Sequence, residues 1–195
     1  MKPILYKILI PLDRLYMSFY SPKRINKENI PKSNSIILAG NHTSVLDPLL
    51  LMSCTKRVIR FLAKKELNKG IITTWFFKNV GIIPVDRSKK NPEVIKEACD
   101  YLNNKEIIGI FPEGTINKTK DIIMPFKYGA VKMAKETNSM ILPFAISGKY
   151  KLFRKSVKII FGTPYKVTGS LEEEKKKLEK EVIKLLKEIQ WKKNI

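Results

Sequence analysis

The chain has 195 residues, enough for one domain with a sizeable core, and its 44% apolar share excludes a disordered chain. Lysine and arginine number 38 against 18 acidic residues, and the resulting net charge of +20 favours an anionic partner: nucleic acid, a membrane surface or a phosphorylated ligand. Only six of the basic residues are arginine, the residue that base reading leans on, so no nucleic-acid partner is expected. Cys54 and Cys99 match no metal spacing and His42 is the only histidine, so no metal site is expected; with no Gly-x4-Gly-Lys loop and no Gly-x-Gly-x-x-Gly, no cofactor is expected either. Two unpaired thiols fit a reducing, cytosolic setting.

The first twenty residues are rich in Ile, Leu, Tyr and Phe, interrupted by Lys7, Asp13 and Arg14. No window is long and uncharged enough for a membrane span, and no small-residue cleavage site marks a signal peptide. Pro11 is expected to kink or end a first helix. Lys23, Arg24, Lys27 and Lys32 follow. A greasy amphipathic stretch beside a basic one fits an anchor on anionic lipid, with residues 1–33 as the anchoring segment and 34–195 as the catalytic domain. The alternative is an N-terminal helix packed on the domain's own core.

Beyond residue 33 the apolar runs alternate in length. Short runs at 35–39, 58–63, 82–85, 107–111, 140–146 and 157–161 predict strands. Longer patterned stretches predict helices from Asp47-Pro48 onward and over 67–80, 92–103, 128–137 and 172–193. Asp47 is placed as the cap of its helix and Pro48 as the first helical residue. The alternation implies an α/β domain with a mixed, largely parallel central sheet flanked by helices.

Two clusters carry the candidate chemistry. The first is Asn41-His42-Thr43-Ser44-Val45-Leu46-Asp47, running from a strand end to a helix start, where open α/β sheets bind ligands. Histidine is the natural general base near neutral pH, and a carboxylate on its other nitrogen fixes the tautomer and steadies the imidazolium. Five residues apart, His42 and Asp47 do not align on one straight helix, but a turn that delivers Asp47 to the helix start brings them together. The alternative is a capping Asp47 beside an inert loop histidine. The second cluster, Phe111-Pro112-Glu113-Gly114-Thr115, also follows a strand. Gly114 lets the backbone approach a ligand, amides there can hold an anion, and Glu113 can orient a hydroxyl or a basic residue. The alternative is a plain turn.

In this order, about seventy residues apart, His42-x4-Asp47 and Phe111-Pro112-Glu113-Gly114-Thr115 resemble the motifs of the glycerolipid acyltransferases, closest to the 1-acylglycerol-3-phosphate acyltransferases. Gly81-Ile82-Ile83-Pro84-Val85-Asp86-Arg87 is similar to the family's intervening block, and Leu142-Pro143-Phe144-Ala145-Ile146 sits where a fourth, apolar block falls. Pro84 and Ile146 depart from the residues more usual there. The resemblance covers residues 33–168. It implies transfer of a fatty acyl group from a thioester to a hydroxyl of 1-acylglycerol-3-phosphate, forming phosphatidic acid. His42 would be the base and Asp47 its support. Arg87 is the residue associated with the acceptor phosphate, Glu113, Gly114 and Thr115 join the substrate site, and Lys64 and Lys127 are further candidates. The implied partners are a lysophospholipid acceptor, an acyl-CoA or acyl carrier protein donor (an acyl phosphate is the third option) and an anionic membrane surface. The implied location is peripheral, on the cytoplasmic face of the cell membrane. Alternatives are another lysolipid or glycerol-3-phosphate as acceptor, a lipid hydrolase with Ser44 as nucleophile, or a non-enzymatic basic module that binds nucleic acid or membrane, which would explain the charge but not the two motifs. The hydrolase reading lacks a Gly-x-Ser-x-Gly elbow.

Overall fold

The computed structural model describes residues 4–67, 70–86 and 91–191. Seven strands form one sheet among them: β1 Lys23–Ile25, β2 Ile36–Gly40, β3 Ile59–Lys64, β4 Ile83–Val85, β5 Ile107–Ile110, β6 Met140–Gly148 and β7 Val157–Phe161. Six α-helices accompany them: α1 Ile4–Ser18, α2 Asp47–Met52, α3 Ile71–Val80, α4 Pro92–Asn103, α5 Gly129–Thr137 and α6 Leu171–Trp191. The strand order is β1-β7-β6-β2-β5-β3-β4, and every neighbouring pair is parallel except β6 and β7. The expected mixed, largely parallel sheet is the one observed.

The period of two along a strand divides the core. In β2, Ile36 and Leu38 point to one face of the sheet, where Leu50, Leu51 and Met52 of α2 and Tyr6, Ile10 and Met17 of α1 cover them. Ile37 and Ala39 point to the other face, against Leu102 of α4, Ala130 and Met133 of α5, and Val182 and Leu186 of α6. The result is helix, sheet, helix in three layers. Strands buried on both faces read as continuous apolar runs, which is why most of them are visible in the sequence. The start of α6 is fixed by a reciprocal pair: the Ser170 hydroxyl accepts from the Glu173 amide at 3.3 Å, and the Glu173 carboxylate accepts from the Ser170 amide at 2.9 Å.

The N-terminal segment differs from expectation in two respects. Pro11 neither ends nor splits α1, which runs through it. The proline removes one backbone donor on an exposed side of a helix whose opposite side is held by Tyr6, Ile10 and Met17 in the core. Lys23-Arg24-Ile25, a basic stretch with no strand signature, forms β1 at the sheet edge, in parallel register with Lys158-Ile159-Ile160 of β7. α1 itself has two unlike sides. Tyr6, Ile10, Asp13 and Met17 are buried, while Ile8, Leu12 and Leu15, continued by Phe19 just past the helix end, form a stripe at helical spacing in which each residue is about half exposed. No described helix is long and apolar enough to cross a membrane.

Candidate active site

β2 and β5 are adjacent parallel strands, with Ala39 opposite Ile110, so the segments leaving their carboxyl ends emerge side by side. This register brings together two motifs separated by seventy residues. Gly40 closes β2 where the carbonyl of Phe144 on β6 approaches closely; a β-carbon there would lie 2.2 Å from that oxygen. The next residue, Asn41, is buried and ties the loop to β6 through both ends of its amide, donating to the Ile146 carbonyl at 2.9 Å and accepting from the Ile146 amide at 2.8 Å.

His42 then stands with Nδ1 2.9 Å from Oδ2 of a fully buried Asp47. The same oxygen accepts the amides of Thr43 at 2.6 Å and Ser44 at 2.8 Å. The Asp47 carboxylate therefore turns back on its own loop. It makes no capping bond to α2, which overturns its expected role as a helix cap. A carboxylate on Nδ1 fixes that nitrogen as the protonated one and leaves Nε2 as the acceptor. Phe111 stacks on the imidazole with ring centroids 4.1 Å apart, fixing the plane of the ring.

Glu113 lies behind the histidine, 4% exposed. One carboxylate oxygen accepts the His42 amide at 2.7 Å and the other the Met124 amide at 2.8 Å. Burial holds its carboxyl above the usual range, an effect that the two amides offset only in part. Glu113 thus orients the main chain of His42, where the sequence pointed to a hydroxyl or a basic side chain. Gly114 has φ of 76°, and its amide donates to the Phe111 carbonyl inside the turn. Its contribution is space: a β-carbon there would sit 3.0 Å from Cε and Nζ of Lys127. The strand-to-loop turn after β5 therefore lets a lysine run alongside it.

These groups open on a cavity of about 1050 Å³. His42, Gly114, Thr115, Lys64 and Lys127 are among the residues that line it. Leu9, Leu12 and Tyr16 of α1, with Leu49, Phe77 and Val80, line an apolar part. Leu12 and Tyr16 are also exposed, so the cavity reaches the surface beside α1. Lys64 faces Glu66 only loosely, at 3.9 Å, and the cavity-lining Asp86 is held by Lys65 at 2.6 Å. Arg87 lies outside the described residues. Of the other candidates, His42, Lys64, Gly114, Thr115 and Lys127 share the cavity, while Asp47 and Glu113 stand behind it as supports. Ser44 accepts the Leu46 amide at 3.2 Å and has no bond to His42 among the described contacts, so nothing in its geometry marks it as a nucleophile.

Sequence reasoning missed Tyr150. Its hydroxyl donates to the second oxygen of Asp47 at 2.7 Å, from the loop after β6 and 103 positions away. No local pattern distinguishes it; only the pairing of β2 with β6 places it there. Burial and the Asp47 charge hold its phenol well above the usual range, so it remains a donor. Tyr150→Phe is expected to lower the melting temperature by several degrees, because a buried carboxylate oxygen loses a bond worth ~1.5–3 kcal/mol. It should also lower kcat roughly tenfold with little change in KM, as the orientation of Asp47 loosens. Melting and steady-state kinetics on the same preparation check this; an unchanged kcat would leave the phenol a packing role only.

Comparisons with known proteins place the chain in a family. The family described as Acyltransferase matches residues 22–147. The chain is 35% identical over 147 residues to the 1-acyl-sn-glycerol-3-phosphate acyltransferase of Bacillus subtilis (strain 168), covering 73% of this chain and 72% of that one. It is 33% identical to the protein of the same name from Borreliella burgdorferi over 67% of this chain, and 32% identical to the one from Saccharomyces cerevisiae over 71%. It spans only about half the length of those two relatives, 52% and 49%. The crystal structure of the 1-acyl-sn-glycerophosphate acyltransferase from Thermotoga maritima superposes with a TM-score of 0.78 at 25% identity, covering 95% of this chain and 79% of that one. The chain belongs to the acyltransferase family, on the branch of the 1-acyl-sn-glycerol-3-phosphate acyltransferases.

Proposed function

We propose that the chain moves a fatty acyl group from a thioester, carried by coenzyme A or acyl carrier protein, to the free hydroxyl of 1-acylglycerol-3-phosphate, forming phosphatidic acid at the surface of an anionic membrane. The observation that carries this reading is an imidazole held by a buried carboxylate and lining a largely apolar cavity that two lysines also line. Nε2 of His42 takes the hydroxyl proton as the oxygen attacks the thioester carbonyl. The tetrahedral intermediate collapses with loss of the thiolate, which receives the proton back from the imidazolium. Asp47 balances the transient charge on the ring. Base catalysis of this kind contributes ~10²–10⁴-fold, and holding both substrates in one cavity contributes further. Lys64, Lys127 and Arg87 are the cations proposed for the acceptor phosphate, Arg87 through its planar fork. The apolar lining from Leu9, Leu12, Leu49, Phe77 and Val80 suits an acyl chain.

The exposed stripe of α1 fits a peripheral position on the bilayer, on its cytoplasmic face, since a cavity that opens beside Leu12 and Tyr16 can take a lipid without drawing its chain through water. Purified protein, supplied with acyl-CoA and acyl carrier protein thioesters and with a set of lysolipid acceptors and glycerol-3-phosphate in vesicles, is expected to form phosphatidic acid fastest from 1-acylglycerol-3-phosphate. Faster acylation of a lysolipid lacking the phosphate monoester would refute the acceptor assignment. Release of free fatty acid without transfer would favour hydrolysis instead.

A further inference from the structure

β6 and β7 are antiparallel neighbours, with Gly148 opposite Val157, so the chain between them is a hairpin connection. Such connections need two to five residues. This one has eight, Lys149-Tyr150-Lys151-Leu152-Phe153-Arg154-Lys155-Ser156, four of them cationic and none acidic. Leu152 is 55% exposed and Phe153 79% exposed, the latter among the most exposed large apolar residues described. Phe153 also has φ of 57°, a left-handed conformation that a bulky side chain rarely adopts. The conformation is held in place: the Phe153 amide donates to the Phe19 carbonyl at 2.6 Å, and the Ser156 hydroxyl donates to the Lys149 carbonyl at 2.6 Å. The backbone is thus fixed in an unusual shape that presents an aromatic ring outward.

The ring does not project alone. It meets Phe19 edge-on, centroids 5.9 Å apart, and Phe19, directly after α1, continues the exposed stripe of that helix. Tyr20 and Tyr150 make a second edge-on pair between the same two elements at 5.8 Å. Leu152 and Phe153 therefore extend the apolar surface of α1, with Lys149, Lys151, Arg154 and Lys155 around them. We infer that the β6–β7 loop is a second membrane-docking element, seating Leu152 and Phe153 in the headgroup region of an anionic bilayer beside α1. The inference rests on the reading that the enzyme works at a bilayer. An apolar tip ringed by cations matches an interface that is apolar within and negatively charged outside. A protein partner matched to the apolar tip alone would leave the four cations without a role. The loop also carries Tyr150, so the element that docks is the one that holds Asp47.

The test is sedimentation with vesicles of phosphatidylcholine alone and of phosphatidylcholine mixed with phosphatidylglycerol. Four proteins are compared: the intact chain, Ile8→Ser with Leu15→Ser on α1, Leu152→Ser with Phe153→Ser on the loop, and Lys151→Ser with Arg154→Ser and Lys155→Ser. The triple cation variant is expected to lose roughly fivefold in affinity for anionic vesicles per residue, and little on neutral ones. The apolar loop pair should weaken binding to both. If both loop variants bind as tightly as the intact chain while the α1 variant does not, the loop proposal fails and docking through α1 stands. If the intact chain binds neither vesicle, both fall. Conversion of a dimer to a monomer by Leu152→Ser with Phe153→Ser, with vesicle binding unaltered, would make the patch a self-interface and overturn the proposal. Should the apolar pair fail to fold, the three exposed cations decide the matter alone.

Discussion

His42→Ala is expected to lower acyl transfer by ~10²–10⁴-fold in a protein that still folds. Both backbone roles of His42 are independent of its side chain: its amide donates to Glu113 and its carbonyl accepts from Asn117 at 2.8 Å. Alanine keeps both. What disappears is the ring between Asp47 and Phe111, and with it one of the donors on the Asp47 carboxylate. The structural loss is one hydrogen bond and a partly exposed stack, ~1–2 kcal/mol, or a few degrees in melting temperature for a domain of this size. The catalytic loss is far larger, because the hydroxyl nucleophile is weak until its proton is taken; ~10²–10⁴-fold in kcat is the range for a removed general base. Melting, far-ultraviolet circular dichroism and kinetics on one preparation separate the two. A folded His42→Ala protein with near-normal turnover would remove the histidine from the mechanism.

Most of the sheet is legible because its strands are buried on both faces. Ile36-Ile37-Leu38-Ala39 and Ile107-Ile108 have no polar positions to confuse them with a surface helix. β1 is not legible for the opposite reason. An edge strand needs a ladder on one side only, and Lys23-Arg24-Ile25 has the charged composition that guards edges against unwanted pairing. Composition alone does not separate such a strand from a basic headgroup-binding segment. α1 is the intermediate case. Its sequence shows grease on nearly every side, which suits both an anchor and a core helix, and the structure puts a core stripe and an exposed stripe on the same helix. A cut after residue 20 would remove the buried Tyr6 and Met17, so substitutions on the exposed stripe test docking more cleanly than truncation.

The site was legible as two motifs but not as an arrangement. The spacing of His42 and Asp47 allowed them to meet; it did not show that the imidazole, two backbone amides and the Thr43 hydroxyl would converge on one carboxylate oxygen. The sequence of the second motif put Glu113 beside the ligand, whereas the adjacency of β2 and β5 puts it beneath the histidine main chain. Tyr150 was beyond reach, since its meaning depends on a β6 register that no local pattern encodes.

Asp47→Asn is expected to cost more in rate than in stability, and Asp47→Ala to reverse that emphasis. Asp47 is fully buried. Oδ2 receives His42 Nδ1, the Thr43 amide and the Ser44 amide at 2.9, 2.6 and 2.8 Å, and Oδ1 receives the Tyr150 hydroxyl at 2.7 Å. Asparagine has one oxygen to offer. Turned with its amide nitrogen toward Oδ2's place, it would confront two backbone N–H groups that cannot rotate away. Turned the other way, its oxygen takes those donors and its nitrogen meets the Tyr150 hydroxyl, which can rotate to accept. The second orientation is the one expected. It preserves the bond to Nδ1–H and hence the tautomer, and removes only the negative charge. Bonds to a neutral oxygen in place of a charged one lower stability by ~1–3 kcal/mol. The imidazolium formed during transfer then lacks its counter-ion in a buried setting, and kcat should fall ~10²–10³-fold with the acceptor KM little changed. Alanine leaves two backbone amides and a phenol unpaired in the core, a loss of ~3–5 kcal/mol that threatens the fold itself. The ratio of the two effects in each variant is the measurement. If Asp47→Asn keeps the kcat of the intact enzyme while melting lower, the carboxylate only locks the loop, and the charge on His42 is balanced by another group.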